Sequence, residues 1–164
     1  MGLIIDKEDF IGQYAASQND FSKLPDYITQ FERRYLYEFF GKELADLFIA
    51  DLTAQVPQDA RFTVLFEVRT IEIGGCNYSS IGMLNMMLGF VYYEYMRKDP
   101  IKSTVTGQVR NANENSTPVI DTVGMTTRYN ESVNTYKILQ AYMIENSTAY
   151  PEFAGVKKET ALWF

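Results

Sequence analysis

The chain has 164 residues, enough for one domain with a substantial core and no need of a second. Its 15 Lys and Arg against 21 Asp and Glu leave a formal net charge of -6, which argues against a surface built to neutralise phosphates and so against direct DNA binding. Histidine is absent and Cys76 is the only cysteine, which excludes an intrachain disulfide and a Cys/His zinc site and removes the commonest acid-base residue of enzymes.

The start, MGLIIDKEDF, has neither a basic n-region nor a long apolar run, and Asp6 stands where a myristoylation motif wants Ser or Thr; a cytosolic origin is the expectation. Acids in the first turn and Phe10, Ile11, Tyr14 and Ala15 at helical spacing predict a first short helix over Asp6 to Gln18. After a turn at Ser17 to Asp20, Ser22 and Pro25 open a stronger pattern. Tyr27, Ile28, Phe31, Tyr35, Leu36, Phe39 and Phe40 recur at i, i+3, i+4, and Gly41 is the natural stop. Glu43 to Thr53 resumes the period with Leu44, Leu47, Phe48 and Leu52, and Pro57 marks its end. Arg61 to Ile73 fits helix and strand equally well, and Gly74-Gly75 closes it.

Ser80 precedes the most apolar stretch, Ile81 to Arg97, whose hydrophobic residues cover nearly the whole circumference: a buried central helix. Asn85 and Glu94 interrupt it within a run too short for a membrane span. A Thr/Asn/Gly/Val-rich interlude follows. Val105, Val109, Val119 and Val123 alternate with polar residues and Asn111 to Asn115 supplies turn chemistry, so a long β-hairpin arm over about 101–124 is predicted, with an ordered surface loop as the alternative. A closing helix over about Thr126 to Asn146 carries Tyr129, Val133, Tyr136, Ile138, Leu139, Tyr142 and Met143 on one broad face and can pack along the central helix. The last segment, 148–164, ends in Ala161-Leu162-Trp163-Phe164; an apolar end suggests docking onto the core as a lid or onto a partner.

The fold class expected is therefore mainly α: a helical bundle around a central apolar helix, about 80–98, with an arm insertion and an extended C-terminal tail. One domain spans 1–147 and a docking segment 148–164. Nothing points to an enzyme. Glu32 with Glu38, or Glu43 with Asp46, could pair as acid and base, but on amphipathic helices such carboxylates read as a solvated face. Arg33-Arg34 reads as an exposed pair beside Glu32 and Glu38, and Met83, Met86, Met87 and Met96 as core filling. No Glu-x-x-His, GxGxxG or Walker pattern occurs, so no cofactor or metal is expected. Two segments carry the expected partner contacts: Thr104, Thr106, Gln108, Arg110, Asn111 and Asn113 in the arm, and Tyr150, Phe153, Leu162, Trp163 and Phe164 in the tail.

Three phrases in this order, DFSKLPDYITQFERRYLYEFFGKELADLF, SSIGMLNMMLGFVYYEYMRKDP and STVTGQVRNANENSTPV, resemble the head-to-tail connector (adaptor, or neck ring) proteins of tailed bacteriophages. Phe40-Gly41, Tyr92-Tyr93-Glu94-Tyr95 and Thr106-Gly107 to Asn113 stand where that family has its helix stop, its Tyr-rich central helix end and its polar insertion. The likeness covers about residues 20–147, and the aromatic-rich form with a long tail is most similar to ring proteins of crAss-like and related gut phages. It implies a virion protein made in the bacterial cytoplasm and placed in the neck at the portal vertex. There a ring of about twelve identical subunits would close by head-to-tail contacts. The implied partners are other copies of the chain, the portal protein, an adjoining neck or tail ring, and double-stranded DNA sliding through an acidic channel without sequence-specific binding. No membrane is implied. The competing expectation is a non-viral helical scaffold module that docks one partner through its Trp/Phe tail.

Overall fold

A computed structural model describes residues 2–14, 22–98, 101–104, 107–110 and 122–160, and the protein is mainly helical. Helix α1, Leu24–Phe40, begins with Pro25 in its first turn and buries Leu24, Ile28, Phe31, Tyr35, Leu36, Phe39 and Phe40. It stops at Gly41, whose φ of 80° and ψ of 167° are open only to glycine, and a Cβ there would come within 2.8 Å of Ala154. Helix α2, Lys42–Asp51, leaves from that corner and buries Leu44, Ala45 and Phe48. A two-residue hairpin, β1 (Leu52–Thr53) with β2 (Val56–Pro57), leads to α3, Ala60–Phe66, which is capped by the Asp59 side chain accepting from the Arg61 N–H at 2.9 Å.

The segment that fitted helix and strand equally is both in turn. Past α3 the β-rich Arg69–Ile73 forms β3, which pairs antiparallel with β4, Cys76–Ser80, across a Gly74-Gly75 turn with φ of 57° and 76°. Ser80 accepts from the Gly82 N–H at 3.1 Å, and α4, Gly82–Lys98, follows as the central element. Met83, Met86, Met87, Leu88, Phe90, Val91, Tyr92 and Tyr95 are buried around it, so the methionines fill the core as expected. Helix α5, Thr122–Glu145, packs along α4, and the crossing is close at Gly89, where a Cβ would lie 2.1 Å from Ser132 Oγ. No described helix is long and apolar enough to cross a membrane.

Three expectations need correction. The first helix is replaced by two 3-10 turns, Lys7–Asp9 and Gly12–Tyr14. Asp6 and Asp9 bond each other's backbone N–H groups, and Gly12, at φ 59°, breaks the period. The strands of the insertion pair in a different register from the one expected: β5, Ile101–Thr104, pairs with β6, Gly107–Arg110, with Ile101 opposite Arg110, Ser103 opposite Gln108 and Thr104 opposite Gly107, whereas the expected turn at Asn111 to Asn115 lies outside the described residues. Val123, expected at the end of the arm, belongs to α5, which starts four residues ahead of its predicted Thr126.

Candidate functional site

The chain's least ordinary chemistry sits where α1, α4 and α5 meet, beneath an extended strap formed by residues 150–160. A helix leaves its last carbonyls without intrahelical partners, and those of α1 must find others. They find them far along the chain. Glu38 O accepts from the Val156 N–H at 2.7 Å, Phe40 O from the Ala154 N–H at 3.0 Å, and Phe39 O from Gln140 Nε2 at 3.0 Å. The Tyr136 hydroxyl lies 2.8 Å from Glu38 O and 2.5 Å from Val156 O and can donate to either. The strap is thus the missing cap of α1, and Gly155 is required in it because a Cβ there would stand 2.0 Å from Phe39 O.

Beyond Val156 the strap inserts Lys158. Its ammonium is 2.5 Å from Glu38 Oε2 and faces three rings, at 4.3 Å from the centroid of Tyr35, 5.2 Å from Phe90 and 5.7 Å from Tyr136. Arg34 Nε holds the other Glu38 oxygen at 2.7 Å. Deeper in, Tyr35 donates its hydroxyl proton to Glu94 Oε1 at 3.0 Å, and Arg97 meets Glu94 Oε2 at 2.7 Å. Burial raises the Tyr35 hydroxyl far above the ordinary phenol range, aided by the Glu94 charge, so it stays a donor at any physiological pH. Burial pushes the Glu38 carboxyl up, but the hydrogen bonds from Lys158 and Arg34 outweigh it and hold the group below its usual range.

The arrangement binds an ammonium group. Each carboxylate is held by a cation, Glu38 by Lys158 and Arg34 and Glu94 by Arg97. An open hollow of about 380 Å³ lies elsewhere, lined by Val64, Arg69, Ile71, Glu72, Asn77 and Tyr142, with Glu72 its only carboxylate. Among the described residues no group of three His, Cys, Asp or Glu side chains could hold a metal ion.

The carboxylates expected on a solvated face divide. Glu43 is exposed and Asp46 takes Lys42 at 2.7 Å and the Tyr37 hydroxyl at 2.6 Å, a surface set. Glu32 is only 1% exposed, and its carboxylate accepts the N–H groups of Leu3, Ile4 and Ile5 at 2.5, 2.6 and 3.0 Å. Periodicity marks Glu32 as adjacent to the apolar stripe, but nothing local says that the chain's own N-terminus will cover it. Arg34 pairs with Glu38 as a surface i,i+4 pair, as anticipated.

Of the residues expected to touch partners, Thr104 and Gln108 lie on facing strands of the β5–β6 hairpin, with Arg110 at its base opposite Ile101. Thr106, Asn111, Asn113, Leu162, Trp163 and Phe164 lie outside the described residues. Tyr150 faces inward: it is 3% exposed and donates to Arg61 O at 2.6 Å, while Arg61 NH1 reaches Ala149 O at 3.2 Å. Phe153 is half-buried against the same core. Up to Lys158, then, the tail lies as a lid over its own domain. Sequence reasoning named Glu38 only as a surface acid, Glu94 as a break in the apolar run and Tyr136 as part of a helix face, and did not single out Gln140 or Lys158; the Lys157-Lys158 pair in the tail was the available signal.

The latch has a measurable consequence. Lys158→Met should keep the core intact but raise amide exchange at Ala154 and Val156 by roughly tenfold, the scale of one charge-assisted hydrogen bond. Because Glu38 titrates below its ordinary 4.5, its contribution is fully present above that pH. It is lost as pH falls through the depressed value, so the same two amides should lose protection on acidification in the wild type and show no such step in Glu38→Gln.

Compared with protein-family models, with curated proteins and with solved structures, the chain matches none.

Proposed function

We propose that the chain is a virion structural protein whose copies form a ring in the neck of a tailed phage, joining the portal to the tail and lining the DNA channel. The observation that carries this reading is the order of parts. A helix closed at Phe40-Gly41, a short helix, a central apolar helix with a Tyr-rich end, a β-hairpin insertion at 101–110 and a closing helix follow one another as the sequence resemblance requires. The hairpin interrupts two helices that pack against each other, so it is an addition to the core and available to a neighbour. An acidic chain suits a passage through which DNA must slide without sticking. By the same reading no residue is catalytic, and the cations and carboxylates under the strap serve assembly.

The test is the mass of the purified protein, alone and with the portal complex of the same phage, by light scattering and negative-stain imaging. Rings of cyclic symmetry, or density on the portal, are the expected result. A compact monomer indifferent to the portal would sink it and favour a scaffold module docking one partner through the Trp163-Phe164 end.

A further inference from the structure

The groove between α1 and α5 is a built binding site for an extended segment, and the structure shows what fits it. It offers backbone acceptors at Glu38 and Phe40, polar donors from Tyr136 and Gln140 for a peptide carbonyl, and room at one position for glycine alone. It ends in an ammonium cage of one carboxylate and three ring faces. The segment it holds, Ala154-Gly155-Val156-Lys157-Lys158, is bound almost wholly through main-chain bonds and one lysine. Ala154 and Lys157 are exposed, and the Val156 side chain is 61% exposed, so no apolar side chain of this segment is sunk into the core.

Two consequences follow. A segment held this way is joined to the core chiefly by main-chain bonds and by Lys158, so it can come away without unpacking a helix. The groove, however, does not stand empty well: Phe40 O would lose the Ala154 N–H, Glu38 O the Val156 N–H, and the Glu38 carboxylate its ammonium, with the Tyr35, Phe90 and Tyr136 ring faces left uncovered, while Gln140, Tyr136 and Arg34 retain only the bonds that α1 and α5 make between and within themselves. Whatever displaces the strap must restore the same bonds, and the one occupant certain to do so is the same segment of another copy. The geometry permits a hinge. Tyr150 is anchored under Arg61, and the turn at Pro151-Glu152 precedes the first groove contact. From Pro151 an extended chain reaches Lys158 within about 25 Å, which is the radius within which the strap can find another copy's groove.

We infer that the α1–α5 groove is a docking site for a Gly-Val-x-Lys segment and that, in the oligomer, it is filled by the C-terminal strap of a neighbouring copy. This rests on the ring reading above and gives it a heterologous contact: strap on one side of the subunit, groove on the other, each copy supplying one and receiving one.

The Glu38–Lys158 pair allows a direct test on the unaltered chain. Copies labelled with heavy nitrogen and unlabelled copies are mixed as monomers in equal amounts, allowed to assemble, and joined by a zero-length carbodiimide that links a carboxylate to a touching amine. Mass spectrometry then reads the labels on the Glu38–Lys158 peptide pair. In an oligomer with exchanged straps about half of those pairs carry both labels. A ring in which every pair carries one label overturns the exchange while leaving the ring standing. A closed dimer with mixed pairs supports the exchange and removes the ring. A monomer under all conditions removes both, and Glu38 linked to a lysine of the portal instead of Lys158 overturns the choice of occupant. Gly155→Ala, which blocks the fit on any copy, should abolish the oligomer at least tenfold in concentration while the wild-type helix content persists.

Discussion

Replacing Phe90 by alanine should remove about 3–5 kcal/mol of stability, read as a shift of the urea midpoint at unchanged slope. The ring has no exposed surface and stacks on Tyr35 at 4.6 Å, meets Tyr129 edge-on at 5.5 Å and Tyr136 at 6.0 Å, and forms one wall of the Lys158 cage. Truncation leaves a cavity at the junction of α1, α4 and α5 that none of these rings can close without giving up another contact. Phe90→Leu keeps most of the volume and should cost less than half as much. Equal losses from the two variants would mean that this junction is loosely packed.

Glu32→Ala should be comparably damaging, at about 3 kcal/mol or more, although it removes a charged residue from a helix. The carboxylate accepts three successive N–H groups, and Ile4 and Ile5, both at 2% exposure or less, are carried into the core by that attachment. Alanine strands buried donors and frees the segment that covers α1. Glu32→Gln keeps one oxygen, enough for Ile4 and Ile5, which share Oε1, and turns an amide N–H₂ toward Leu3; a loss of about 1–2 kcal/mol is expected. The two variants also differ in their pH response from the wild type. Burial raises the Glu32 carboxyl above its ordinary 4.5 despite the three bonds it accepts. Its favourable contribution to folding is therefore fully present below 4.5 and is lost as pH rises through the raised value, a slope that Glu32→Gln should flatten. Denaturant midpoints across that range decide the matter: a wild type and a Gln variant with the same pH profile would show that Glu32 folds without a displaced pKa.

The helices were legible because their signals are local. The i, i+3, i+4 rows of α1 and α5, Pro25 and Gly41 at the ends of α1, and the all-round apolarity of α4 each follow from one turn of helix looking at the next. The errors have other causes. Residues 6–14 carry a helical spacing, yet Asp6 and Asp9 bond each other's backbone N–H groups and Gly12 turns to a φ of 59°, so side chain-to-backbone bonds and a glycine turn overrode the period. Glu38 looked like a surface acid because nothing within its own helix reveals that Lys158, 120 positions away, will meet it. The register of the insertion was not legible because turn chemistry at Asn111 to Asn115 says nothing of which strand residues meet, and β5 and β6 settle on Ser103 opposite Gln108 and Thr104 opposite Gly107.

The dependence of α1 on residues 154–158 for its final carbonyl partners also sets the timetable of maturation. During synthesis α1 is made far ahead of Ala154 and Val156, so the carbonyls of Glu38 and Phe40 wait in water for N–H groups that the ribosome has yet to deliver. The last turn of α1 is therefore finished after the helices that pack around it, and its completion reports that the strap has been threaded.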